Sequence, residues 1–110
     1  MVGELLDRGT AETYASWFRA LADPSRVQIV EYLARQARPM SVGEIVTAVG
    51  LAQSTVSQHL RILTEVRFVL VEAVGNARHY RINAACVACF PSAADVVMGR
   101  PAPPPAEGRA

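Results

Sequence analysis

Two helical patterns separated by only three residues, Gly50, Leu51 and Ala52, restrict the possible folds of this chain more than any other feature of the sequence. The first covers residues 42–49: Ser41 and Glu44 have the spacing of a capping box, and Gly50 supplies the conformational freedom of a left-handed stop. The second begins almost at once and spans about residues 53–66. A link this short predicts a helix-turn-helix, in which the first helix braces and the second is presented to a groove.

The second helix carries two distinct faces. At 3.6 residues per turn, Val56, Leu60 and Leu63 fall on one stripe, and Ser54, Ser57, Gln58 and Arg61 fall together on the opposite one. One stripe packs, while the other is a row of hydroxyls, an amide and a guanidinium. Those groups suit hydrogen bonding to base edges and phosphates in a major groove, and the plainer account is a solvated amphipathic face. Gln53 and Thr55, in the same turn as Ser54, complete the candidate surface.

The flanking segments extend the pattern. Residues 10–22 place Tyr14, Trp17, Phe18 and Leu21 at helical spacing, a large apolar face for a short helix and suited to a core or a dimer contact. Asp23 followed by Pro24 reads as an N-cap with proline at the first helical position, opening a helix through Val27, Ile29, Val30 and Leu33. Beyond the paired helices, residues 68–74 and 78–82 are β-rich and are separated by Gly75, Asn76 and Ala77, as in a hairpin. Alternation turns Tyr80 and Ile82 inward and His79 and Arg81 outward. Arg78, beside the hairpin tip, is within reach of a phosphate or a minor groove.

The expected fold class is therefore mainly α with a small β-hairpin (α+β), a winged helix-turn-helix. Residues 1–9 are read as a flexible N-terminus, 10–98 as the folded domain and 99–110, rich in proline, as a disordered tail. A chain of 110 residues with 51% hydrophobic content makes one domain and gains from dimerisation. The net charge is only +1, so contact with nucleic acid has to rest on local charge; all 11 basic residues are arginine. No signal peptide or span of about 20 apolar residues is recognised, which predicts a cytoplasmic protein with no membrane partner and reduced cysteines. No Ser/His/Asp set, phosphate-cradling glycine loop or convergent carboxylate pair is present, so an enzyme is not expected.

At this point the sequence resembles the ArsR/SmtB transcriptional repressors. Ala20-Leu-Ala-Asp-Pro-Ser-Arg26 looks like the opening signature of that family, Thr55-Val-Ser-Gln-His-Leu-Arg61 like its recognition helix, and Arg78-His-Tyr-Arg-Ile82 like its second wing strand. The similarity extends over about residues 12–98. It implies a homodimer bound to double-stranded operator DNA with an inverted repeat and released by an inducer. It also keeps His59 with DNA rather than with metal. Two positions depart from the family pattern: Arg67 stands where a glycine is usual, and Ala52 replaces a polar cap.

The inducer is sought in Cys86 and Cys89. The family's cysteine site, which would fall at the start of the helix over residues 42–49, and its histidine-based zinc site near the C-terminus are both missing, and neither histidine lies beyond residue 79. Two thiols three residues apart share a face of a helical turn, and Pro91 starts a final segment, 92–98, whose N-terminal dipole favours thiolate. A thiophilic As(III) or Sb(III) fits this pair best, with a third ligand from water, a small thiol or the partner subunit. Cd, Pb or Zn held by four thiolates across a dimer is the alternative, Asp95 is a candidate outer ligand, and no metal is required for the fold. Three other readings stay open: an inert pair of buried thiols, a redox switch through a Cys86–Cys89 disulfide, and a winged helix that binds protein rather than DNA.

Overall fold

The computed structural model describes residues 5–85 together with 97 and 98. Its elements follow in the order α1 (Arg8–Ala20), α2 (Pro24–Gln36), β1 (Met40–Ser41), α3 (Val42–Val49), α4 (Gln53–Glu65), β2 (Val69–Val74) and β3 (Ala77–Ile82). The winged helix-turn-helix expected from the sequence is the observed fold. Cys86, Cys89, Asp95 and the tail from residue 99 lie outside the described residues, as does most of the expected 92–98 segment.

Local chemistry sets the helix ends. Asp7 accepts from the Thr10 backbone N at 3.1 Å and from its hydroxyl at 2.7 Å, so α1 starts two residues earlier than the apolar spacing suggests. Asp23 caps α2 through the backbone N–H groups of Ser25 and Arg26, at 2.8 and 3.2 Å. The capping box of α3 is closed both ways: Ser41 Oγ accepts from Glu44 N at 3.1 Å, and Glu44 accepts from Ser41 N at 2.9 Å. All three carboxylates are held below their usual range, chiefly by the Thr10 hydroxyl at Asp7, the Arg26 N–H at Asp23 and the Ser41 N–H at Glu44.

The two departures from the family pattern resolve differently. Arg67 takes φ 65, and its N–H donates to the Thr64 carbonyl at 3.1 Å while Phe68 N donates to Leu63 O at 3.1 Å. These are the two bonds of a Schellman motif, with arginine at the position that usually holds glycine. Asn83 reinforces the turn, donating from Nδ2 to the Arg67 carbonyl at 2.8 Å and from its backbone N to Phe68 O at 2.9 Å. Ala52, in contrast, gives α4 no side-chain cap. Its backbone is extended (φ −65, ψ 150), so serine fits there without strain, and Ala52→Ser is expected to stabilise the fold by about 1 kcal/mol. A thermal melt should show a midpoint about 4–8 °C higher.

The hairpin acquires a partner that the sequence did not announce. Met40 pairs with Tyr80 and Ser41 with His79, so the sheet has three strands in the order β1-β3-β2. Val74 pairs with Ala77 across Gly75 and Asn76, and the positive φ (61) falls on Gly75 alone, the pattern of a II′ turn. The core gathers Ala20, Ile29, Leu33, Met40, Ile45, Val56, Leu60, Leu63, Phe68, Val69 and Tyr80. Trp17 and Leu21 pack against it from α1, with the Trp17 ring 6.2 Å from Phe68, while Tyr14 and Phe18 remain half-buried.

Candidate nucleic-acid interface

The buried stripe of α4 is Val56, Leu60 and Leu63, and it packs against α2, α3 and β2. Burying that stripe forces the opposite one outward. Gln53, Ser54 and Thr55 are exposed in the first turn, and Ser57, Gln58 and Arg61 continue the exposed row. The first turn, without a side-chain cap, presents free backbone N–H groups at the positive end of the helix dipole, an arrangement that favours an anion.

The wing closes one side of this surface. Paired residues of an antiparallel sheet share a face, so Arg78 stands on the face of Tyr80 and Ile82, and Arg81 stands on the other with Glu72. Tyr80 is buried and Arg78, two residues nearer the tip, runs beyond the core into the open. An open groove of about 510 Å³ results between α4 and the wing, lined by Val42, Ser57, Arg61, Thr64, Val71, Asn76, Arg78 and Tyr80. Neither Arg61 nor Arg78 has an ion-pair partner among the described residues. Arg81 does: its Nε lies 3.6 Å from Glu72 Oε1 on the far side of the wing. The sheet thus brings Arg78 to Arg61 and takes Arg81 away from both.

His59 also stands apart from the exposed row. Its side chain is 13% exposed and lies against the start of α2, with Nδ1 3.2 Å from Arg26 Nη1 and Nε2 3.9 Å from Asp23 Oδ1. Sequence reasoning missed Thr64 and Asn76 as groove residues. Thr64 follows Arg61 by three and Ser57 by seven, so helical spacing alone was enough to place it there. Among the described residues no group of His, Cys, Asp or Glu gathers to hold a metal ion, and no helix is long and apolar enough to cross a membrane.

Comparison with known proteins agrees with this geometry. Residues 23–70 match the family described as bacterial regulatory protein, arsR family. The chain is 37% identical over 79 residues to a transcriptional repressor SmtB homolog of Synechocystis, an alignment covering 72% of this chain and 58% of that protein. It is 38% identical over 87 residues to an HTH-type transcriptional regulator of Mycobacterium tuberculosis, covering 78% of this chain and 75% of the relative. A Streptomyces lividans protein named as a probable mercury resistance operon repressor is 33% identical over 87 residues, covering 79% of this chain and 63% of its own length. Among solved structures, the homodimeric winged helix-turn-helix DNA-binding domain of a Mycobacterium bovis protein superposes with a TM-score of 0.67 at 31% identity, covering 89% of this chain and 90% of that one. These relatives are named as regulators, not enzymes. With its helix-turn-helix, its two-stranded wing in a three-stranded sheet and this set of relatives, the chain belongs to the ArsR family of bacterial regulatory proteins.

Proposed function

We propose that this protein is a cytoplasmic, homodimeric transcriptional repressor that reads an inverted-repeat operator with α4 and leaves it when a thiophilic metal or metalloid binds Cys86 and Cys89. The observation that carries the DNA reading is the shared groove of Arg61 and Arg78, two arginines without an ion-pair partner among the described residues, one on the reading helix and one on the wing. In this reading Gln53, Ser54, Thr55, Ser57 and Gln58 meet bases and phosphates along the major groove. Arg61 spans base edge and backbone, and Arg78 holds the phosphate beside the wing. Arg81, paired with Glu72, contributes to the field rather than to a direct grip.

The homodimer is supported by the Mycobacterium bovis domain, which is itself homodimeric. A metal inducer is supported by the mercury repressor's name and by the Cys86/Cys89 spacing. As(III) or Sb(III) is favoured because two or three thiolates satisfy it, with Cd, Pb and Zn as the further candidates.

The test uses a duplex selected from a random-sequence pool by the full chain. Fluorescence anisotropy should show affinity falling steeply and linearly on a log–log scale with salt; salt-independent binding removes the DNA reading. Arsenite, antimonite, methylarsenite, cadmium, lead and zinc are then screened for release. The double variant Cys86→Ser/Cys89→Ser should keep its DNA affinity and lose release. Release by peroxide but by none of these ions would replace the metal with a disulfide switch.

A further inference from the structure

We propose that His59 is a positioning residue for the reading helix: its neutral imidazole, protonated on Nε2, fixes the rotation of α4 by accepting from Arg26 and facing Asp23. The inference rests on the DNA reading above and assigns His59 a role inside the protein rather than on the nucleic acid.

The tautomer follows from the donors present. A guanidinium has N–H groups and no acceptor, so the 3.2 Å contact from Arg26 Nη1 to His59 Nδ1 is a hydrogen bond only if Nδ1 carries a lone pair. The ring proton then sits on Nε2, on the side of Asp23 Oδ1 at 3.9 Å. Each ring nitrogen faces the group that suits its state.

The partners of His59 are themselves fixed. Arg26 Nε donates to the carbonyl of Ala20, the last residue of α1, and Arg26 N donates to Asp23 Oδ1 at 3.2 Å. Asp23 also accepts from Ser25 N at 2.8 Å, and its carboxyl is held below the usual range, so it stays ionised. One guanidinium therefore joins the end of α1, the start of α2 and the middle of α4. His59 directly follows Gln58 and precedes Arg61 by two, so a turn of the helix that broke this contact would swing both from their base edges. Apolar packing of Val56, Leu60 and Leu63 resists separation of α4 from the core but is less particular about rotation than a hydrogen bond of fixed direction.

The test separates positioning from stability by measuring discrimination: the ratio of affinity for the selected duplex to that for a mixed-sequence duplex of equal length. His59→Leu keeps bulk and removes the acceptor, His59→Gln carries its amide past the Nδ1 position, and His59→Asn places Oδ1 close to where Nδ1 stood. His59→Leu and His59→Gln are each expected to lower the ratio at least about ten-fold, and His59→Asn to keep it within about three-fold of the parent, whatever the order of their melting temperatures. Should His59→Leu fail to fold, the Gln and Asn pair carries the comparison. A parental ratio in His59→Leu or His59→Gln, or a ratio in His59→Asn as low as theirs, overturns the positioning role and leaves the repressor reading intact. A parent chain that discriminates between no duplexes overturns both.

Discussion

Replacing Arg61 with alanine is expected to weaken binding to a selected duplex by about 10- to 100-fold while leaving the melting temperature within about 2 °C of the parent. The side chain is exposed, and no ion pair ties it down among the described residues, so its removal costs the fold little. On the DNA it loses a bidentate contact, which is worth about 1–3 kcal/mol. Arg78→Ala should behave differently, weakening selected and mixed-sequence duplexes alike and shallowing the salt slope by about one charge, as loss of a phosphate contact does. Arg81→Ala should change little in either, because its guanidinium is already engaged by Glu72 on the opposite face of the wing. Anisotropy titrations at several salt concentrations check all three. Equal losses for Arg78→Ala and Arg81→Ala would show that the groove between α4 and the wing is not the binding surface.

The largest loss of stability is expected from Leu60→Ala, at about 2–5 kcal/mol. Leu60 is 1% exposed, at the centre of the stripe that holds α4 against α2, α3 and β2. Truncation leaves a cavity in the core that Leu60 shares with Val56, Leu63, Ile45 and Leu33, and a close-packed interior relaxes only in part to fill one. Because a domain of this kind holds only about 5–15 kcal/mol in total, the melting midpoint should fall by 10 °C or more, roughly, in a calorimetric or circular dichroism melt. A loss below about 1 kcal/mol would mean that the site collapses freely. DNA affinity should fall with it, since a loosened stripe no longer fixes the row on the other side of the helix.

Most of this architecture is legible in the sequence because the signals are local. Asp23 with Pro24, Ser41 with Glu44, and Gly50 each act within a few residues of themselves and stand where expected, while the turn expected over Gly75, Asn76 and Ala77 is one residue shorter because Ala77 pairs with Val74. The start of α1 was missed by two residues because Asp7 lies before any apolar spacing that draws attention to it. Strand β1 was missed for a different reason. A two-residue strand carries no periodicity, and Met40–Ser41 becomes a strand only when β3 is beside it. The candidate site divides the same way. The exposed row of α4 was readable from helical spacing, whereas His59 read as a DNA contact and stands against Arg26, 33 positions earlier in the chain.

The sequence alone determined the helices, their caps, the turn between α3 and α4 and the two faces of α4, because backbone capping and apolar periodicity are set by neighbours a few residues away. Only the tertiary structure decided which arginines act together. Arg61 and Arg78 meet across a groove because the pleat of β3 turns Arg78 towards α4 and Arg81 towards Glu72. Likewise only the packing of α2 on α4 brings Asp23 and Arg26 to His59. Charge and hydrogen-bond partners depend on distance through space, and no spacing along the chain encodes that.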